Sequence, residues 1–203
     1  MGGVYAAAAV RGGTEYGRAW HLAAAGPTKQ RTFDDVIACA QTLIRDRYTS
    51  PKRLALEGAS MGGLMVGAVV TQRPDLFGAA ISDSGLYDMV RADRYPGTTA
   101  DLGSADSSKA QFQTLFAYSP YHHVRKGTRY PAMLLVAGAN DDRVNPAHSL
   151  KFAAALQYAQ AANAPVLLYV KSGAGHFAEI DTSAKYAFLL KVLGFSLGLR
   201  GGG

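Results

Sequence analysis

The sequence predicts an α/β fold, a mostly parallel sheet with helices on both faces. Three observations carry this expectation. Short apolar, strand-like runs alternate with longer helix-like segments along the chain. Two of those runs, 130–141 and 165–170, are almost continuously apolar, as expected of strands covered on both sides. Between a third run and a helix-like stretch lies Gly58-Ala59-Ser60-Met61-Gly62, a serine flanked by glycines at a strand-to-helix turn.

The elements follow in order. "VYAAAAV" (4–10) is a weak strand candidate, since alanine has little β-propensity. Segment 33–47 predicts an amphipathic helix, with Phe33, Val36, Ile37, Ala40, Leu43 and Ile44 on one face. Thr32 is placed to cap it, with Asp34 and Asp35 in its first turn and Arg45 and Arg47 in its last. Cys39, the sole cysteine, reads as a small packed residue of that helix, and a single cysteine excludes an intrachain disulfide. Strand 53–57 leads into the Ser60 turn and a helix reaching Gln72, where "RPDLFG" stops it. Strand 79–84 precedes an irregular excursion, 91–130, expected to pass over the site with one short helix near 108–117. After strand 130–141, Asn145 and Pro146 open a helix running to about Asn163. Strand 165–170 and a last helix from Asp181, carrying Phe188, Leu189, Val192 and Leu193, complete the pattern.

Composition bounds the function. With 203 residues, 48% of them hydrophobic and 18% charged, the chain suits one globular domain with a sizeable core. No apolar run is long enough to cross a bilayer, and Met1-Gly2-Gly3 lacks the basic and apolar regions of a signal peptide, so a cytoplasmic, membrane-free protein is expected. The net charge of +6 is scattered over single residues and pairs, without a basic stripe or aromatic interleaving, so no nucleic-acid partner is expected. No metal-ligand cluster or phosphate-cradling loop is visible, and no cofactor is expected.

The Ser60 segment has the pattern of a nucleophile elbow, in which a sharp turn presents the hydroxyl above a helix N-terminus. Gly58 and Gly62 would let the turn close tightly. A serine becomes a nucleophile when a base accepts its proton and a third group holds the base. His176, in the glycine-bearing loop "KSGAGHF" after strand 165–170, is the expected base, while His21, His122, His123 and His148 read as structural or solvated. Asp141, directly after strand 130–141, is the expected acid, and neighbouring Asp142 reads as a loop carboxylate. The order Ser60, Asp141, His176 is that of the α/β-hydrolase fold.

The segments "RGGTEYG", "FDD", "YTSPKRLALEGASMGGLMVGA", "QRPDLFGA", "NDDRVNPAHSLKFAAALQ" and "GAGHF" together resemble the catalytic domain of the prolyl oligopeptidase family of serine peptidases, from about Val4 into the last helix. The resemblance implies a peptide substrate, with Ser60 acylated, Asp141 orienting and His176 as general base. It also implies that the Met61 backbone N–H donates to the oxyanion and that Arg143 binds a substrate carbonyl. Met61 stands where the prolyl-cleaving members have asparagine, and "YDMVRADRYPGTTADLG" (87–103) lacks the tryptophan that stacks on a substrate proline, so strict proline specificity is not implied. Family members join a β-propeller to a complete hydrolase domain. Residues 1–203 therefore read as a single α/β-hydrolase domain lacking its N-terminal strands and the propeller, including the loop whose tyrosine usually supplies the second oxyanion donor. Three readings follow: a serine peptidase acting on short peptides, an esterase or acyl hydrolase using the same triad, or a fragment inactive without its missing N-terminal part.

Overall fold

The computed structural model of the chain describes residues 3–94, 102–176 and 182–195. Its centre is a four-stranded sheet in the order β1-β2-β3-β4, formed by Ala55–Ala59, Ala79–Asp83, Ala132–Gly138 and Val166–Lys171. Every pairing is parallel. Parallel neighbours need crossovers, which run over one face of the sheet, while a helix that follows the last strand covers the other. On one face lie α3 (Met61–Gln72) and α5 (Ala147–Ala159), whose Val66, Val70, Phe152 and Leu156 pack against Ala80, Met133 and Leu135. On the other, Phe188 of α6 (Thr182–Val192) packs against Ala79, Ile81, Leu134 and Val136. The alternation of strand side chains sorts residues onto these faces.

A further layer covers α3. The helix α2 (Gln30–Arg45) buries Phe33, Val36 and Ala40 against Leu64 and Ala68, and a short α1 (Arg18–Leu22) precedes it. Helix α4 (Lys109–Ala117) occupies the expected place in the excursion, with the Ser108 hydroxyl accepting from Gln111 N–H as an N-cap. It joins the same layer through Leu115, while Tyr118 meets Phe33 with ring centroids 5.7 Å apart.

Several local expectations are corrected. Residues 4–10 form no strand; Val4 to Ala9 are exposed, and β1 pairs with β2 alone among the described residues. Thr32 does not cap α2, which starts two residues earlier. Its hydroxyl instead donates to the Arg11 carbonyl at 2.8 Å, while Arg11 and Asp35 form an ion pair. Cys39 is exposed, because it falls outside the stripe that α2 turns inward. Segment 165–170 is not covered on both faces. It forms an edge strand on which Leu167 and Tyr169 remain exposed, since α5 covers one side of β4 and nothing described covers the other fully. The apolar run β3, buried at every residue, fits its central position. Among the described residues no helix is long and apolar enough to cross a membrane. The predicted start of the last helix at Asp181, and part of the 87–103 segment, lie outside the described residues.

Candidate active site

Ser60 sits between the last residue of β1 and the first of α3 with φ 55° and ψ −116°. A non-glycine residue at positive φ costs on the order of 1–3 kcal/mol, and such strain gathers where a side chain must be aimed. Backbone bonds hold the residue there: its N–H donates to the Asp83 carbonyl at 2.8 Å, and its carbonyl accepts from Leu64 N–H at 3.1 Å. The glycines divide their work differently from the pattern's expectation. A Cβ at Gly58 would overlap the Gly62 carbonyl, and one at Gly63 would stand 2.6 Å from Gly85 Cα, whereas one at Gly62 would meet open space. Close packing of α3 against the ends of β1 and β2 thus requires Gly58 and Gly63.

The base and the acid come from two loops laced together. Ala139 N–H donates to the Lys171 carbonyl at 3.0 Å, and Asn140 N–H to the Ala174 carbonyl at 2.9 Å. Gly138, the last residue of β3, lets the 171–176 loop press onto the strand end; a Cβ there would overlap the Gly175 carbonyl and lie 2.5 Å from that of Ala174. This packing brings His176 to both partners. Its Nε2 is 2.9 Å from Ser60 Oγ, and its Nδ1 is 2.9 Å from Asp141 Oδ2. Asp141 and His176 are 6% and 7% exposed, so solvent screens their contact little. The other Asp141 oxygen accepts from Arg143 N–H at 2.9 Å and Val144 N–H at 2.8 Å, which fixes the carboxylate's orientation. With the Nδ1 proton directed at the carboxylate, Nε2 is left to accept the Ser60 hydroxyl proton. Ser60, His176 and Asp141, separated by up to 116 positions in sequence, thus form one chain of hydrogen bonds.

Met61 opens α3, so its N–H belongs to the helix's first turn, where amides precede any intrahelical acceptor and attract negative charge. Arg143 donates its backbone N–H to Asp141 and, like Asp142, is exposed. The remaining histidines lie in other environments. His21 Nδ1 meets the Gly12 carbonyl, and His123 Nδ1 the Ser119 carbonyl. His122 Nδ1 is 2.8 Å from Ser119 Oγ, and burial holds its imidazole below the ordinary range. His148 is buried, and its Nδ1 accepts from the Tyr87 and Asp88 backbone amides. Burial brings its pKa down to about 4, so it is a neutral structural acceptor.

Two features of the site went unread in the sequence. Gly138 closes an apolar strand, where a glycine signals close backbone approach. Asp83 ends β2 next to the Ser60 turn, half-buried, and its carboxyl is raised above the ordinary carboxylate range by burial. The rule that pointed to Asp141, a carboxylate just past a buried strand, would also have flagged it.

A serine, an imidazole and a buried carboxylate in this order suit acyl transfer through the serine. A sequence profile described as the prolyl oligopeptidase family matches residues 1–198. The chain belongs to the prolyl oligopeptidase family. It is 43% identical over 199 residues to the prolyl endopeptidase of Elizabethkingia miricola, covering 97% of this chain and 28% of that protein. It is 42% identical over 208 residues to the prolyl endopeptidase of Dictyostelium discoideum, covering 96% and 27% respectively. Among solved structures, oligopeptidase B from Trypanosoma brucei, in a closed form with covalently bound antipain, superposes with a TM-score of 0.86 at 34% identity, over 94% of this chain and 29% of that one. The chain therefore spans under a third of the length of these family members, and its α/β-hydrolase fold is theirs.

Proposed function

We propose that this chain is the catalytic part of a serine peptidase that cleaves short peptides through an acyl-enzyme, and that residues 1–203 form one α/β-hydrolase domain. The observation that carries the reading is the Ser60–His176–Asp141 relay, with both contacts at 2.9 Å. In the proposed reaction His176 Nε2 takes the Ser60 proton as Oγ bonds to the substrate carbonyl carbon. The oxygen, now negative, is received by the Met61 N–H at the start of α3, a site where loss of one donor costs about 10²–10³ in turnover. The imidazolium passes its proton to the leaving amine as the peptide C–N bond breaks. Water, deprotonated by His176, then releases the acid and restores Ser60. Arg143, an exposed residue of the acid loop, is assigned the substrate carbonyl in this reading. Prolyl endopeptidases among the relatives favour a peptide substrate over a simple ester; the latter reading uses the same three groups.

Incubation with a fluorophosphonate followed by peptide mass spectrometry tests this. An adduct on Ser60, lost in Ser60→Ala together with peptide turnover, is the expected result, and peptide turnover that survives Ser60→Ala would refute it. Turnover of an ester but not of the matching amide would favour the acyl-hydrolase reading.

Two observations favour a second reading of the isolated chain. β1 pairs with β2 alone among the described residues, and the chain spans 28% of a relative's length. An open edge accepts a further strand. On this reading turnover requires association with an N-terminal segment or propeller, and activity regained on adding that segment in trans is its test.

A further inference from the structure

The side chains of β2 that face α6 are Ala79, Ile81 and Asp83. The first two are buried among apolar neighbours; the third is a carboxylate at the strand's end, in register with Ala59 on one side and Val136 on the other. Ala174 of the histidine loop packs on this same face. Asp83 therefore lies beneath the loop that carries His176, between the strand that delivers Ser60 and the strand that delivers Asp141. Its carbonyl holds the Ser60 N–H, and its carboxylate accepts the Ser84 hydroxyl at 3.0 Å. The charges of Lys185 and His176 favour the Asp83 anion, while that of Asp141 opposes it. Lys185 is itself paired with Glu57 at 2.8 Å, so it is shared rather than dedicated to Asp83.

We propose that Asp83 is a positioning carboxylate of the active site, a second acid whose charge stabilises and orients the His176 imidazolium while Ser60 is acylated. This rests on the acyl-enzyme reading above. No proton passes to Asp83: the Ser60 proton moves to His176 Nε2 and onward to the leaving group, while the Asp83 anion offsets the positive charge on the ring. The placement carries a cost in the fold. Burial raises the Asp83 carboxyl above its ordinary range, so the folded state resists its ionisation. Stability associated with this group is full at low pH and falls as pH rises through the raised value.

The test follows the rate of Ser60 modification by a fluorophosphonate across pH, with thermal unfolding at neutral pH, for the full chain and for Asp83→Asn and Asp83→Glu. Asparagine keeps an acceptor for Ser84 and removes the charge. The expected result for Asp83→Asn is a plateau rate lower by several-fold, an acid limb moved to lower pH, and an unfolding temperature equal to or above the wild type's. Asp83→Glu should restore the limb. An unmoved limb and plateau, or a lowered unfolding temperature with an unmoved limb, would overturn the proposal. If the wild-type chain is not modified at any pH, it is the acyl-enzyme reading that fails for this chain, and NMR of the His176 ring against pH still decides on Asp83. A midpoint that moves to lower pH in Asp83→Asn and returns in Asp83→Glu supports the charge coupling; one that stays put overturns it.

Discussion

Replacing Gly138 with alanine should disable the site without touching any group of the relay. The alanine Cβ would overlap the Gly175 carbonyl oxygen and stand 2.5 Å from the Ala174 oxygen. A carbon next to a carbonyl oxygen needs about 3.3 Å, so Ala174 O must retreat by about 0.8 Å and Gly175 O by more. That motion stretches the 2.9 Å bond from Asn140 N–H to Ala174 and carries His176, one residue further on, away from contacts of 2.9 Å to both Ser60 and Asp141. Misplacement by about 1 Å costs on the order of 10²-fold in rate. Overpacking costs about 1–3 kcal/mol of stability. Gly138 has no positive φ, so the effect is one of contact rather than backbone strain. The assay is the rate of fluorophosphonate modification of Ser60 alongside thermal unfolding. Gly175→Ala serves as control, because its Cβ would meet open space. A folded Gly138→Ala protein modified at the wild-type rate would refute the idea that loop-to-strand packing sets the relay's alignment.

Other substitutions test neighbouring claims. Gly62→Ala should leave folding and Ser60 modification near wild type, while Gly63→Ala, with its Cβ 2.6 Å from Gly85 Cα, should lower the unfolding temperature measurably; equal behaviour of the two would contradict the packing described for α3. Asp141→Asn keeps an acceptor for the Arg143 and Val144 amides, so stability should change little. Presenting an amide N–H to His176 Nδ1 favours the wrong tautomer, and turnover should fall by about 10⁴-fold. Buried His148, with a pKa of about 4 against an ordinary 6.5, binds its proton more readily when unfolded. Its neutral form is accommodated fully above pH 6.5, and stability should drain away as pH falls toward 4, by roughly 3 kcal/mol in all. Unfolding midpoints recorded across that range, with His148→Gln flattening the slope, check this.

The local part of the design was legible in the residues. Alternating apolar periods announced the α/β layering, the run at 130–141 a strand covered on both faces, and the glycine-flanked serine its strand-to-helix turn, because each is written in contiguous side chains. Ser60, Asp141 and His176 could be named from their positions just past strand ends, where a parallel sheet gathers its loops. What sequence could not fix was anything depending on which segments become neighbours. Strand β4 read as fully covered, yet at the sheet's edge it has a neighbour on one side only among the described residues, and the apolar run itself does not say so. Thr32 read as a cap but donates to the carbonyl of Arg11, 21 residues away. Gly58 and Gly62 were both expected to let the turn close, whereas the close approaches fall on Gly58, Gly63 and Gly138. That Asp83 shares a sheet face with the histidine loop follows only from the packing of Ala174 onto that face. Period and residue type are properties of the chain, but the distance between two atoms 116 residues apart is set by the packing of everything between them.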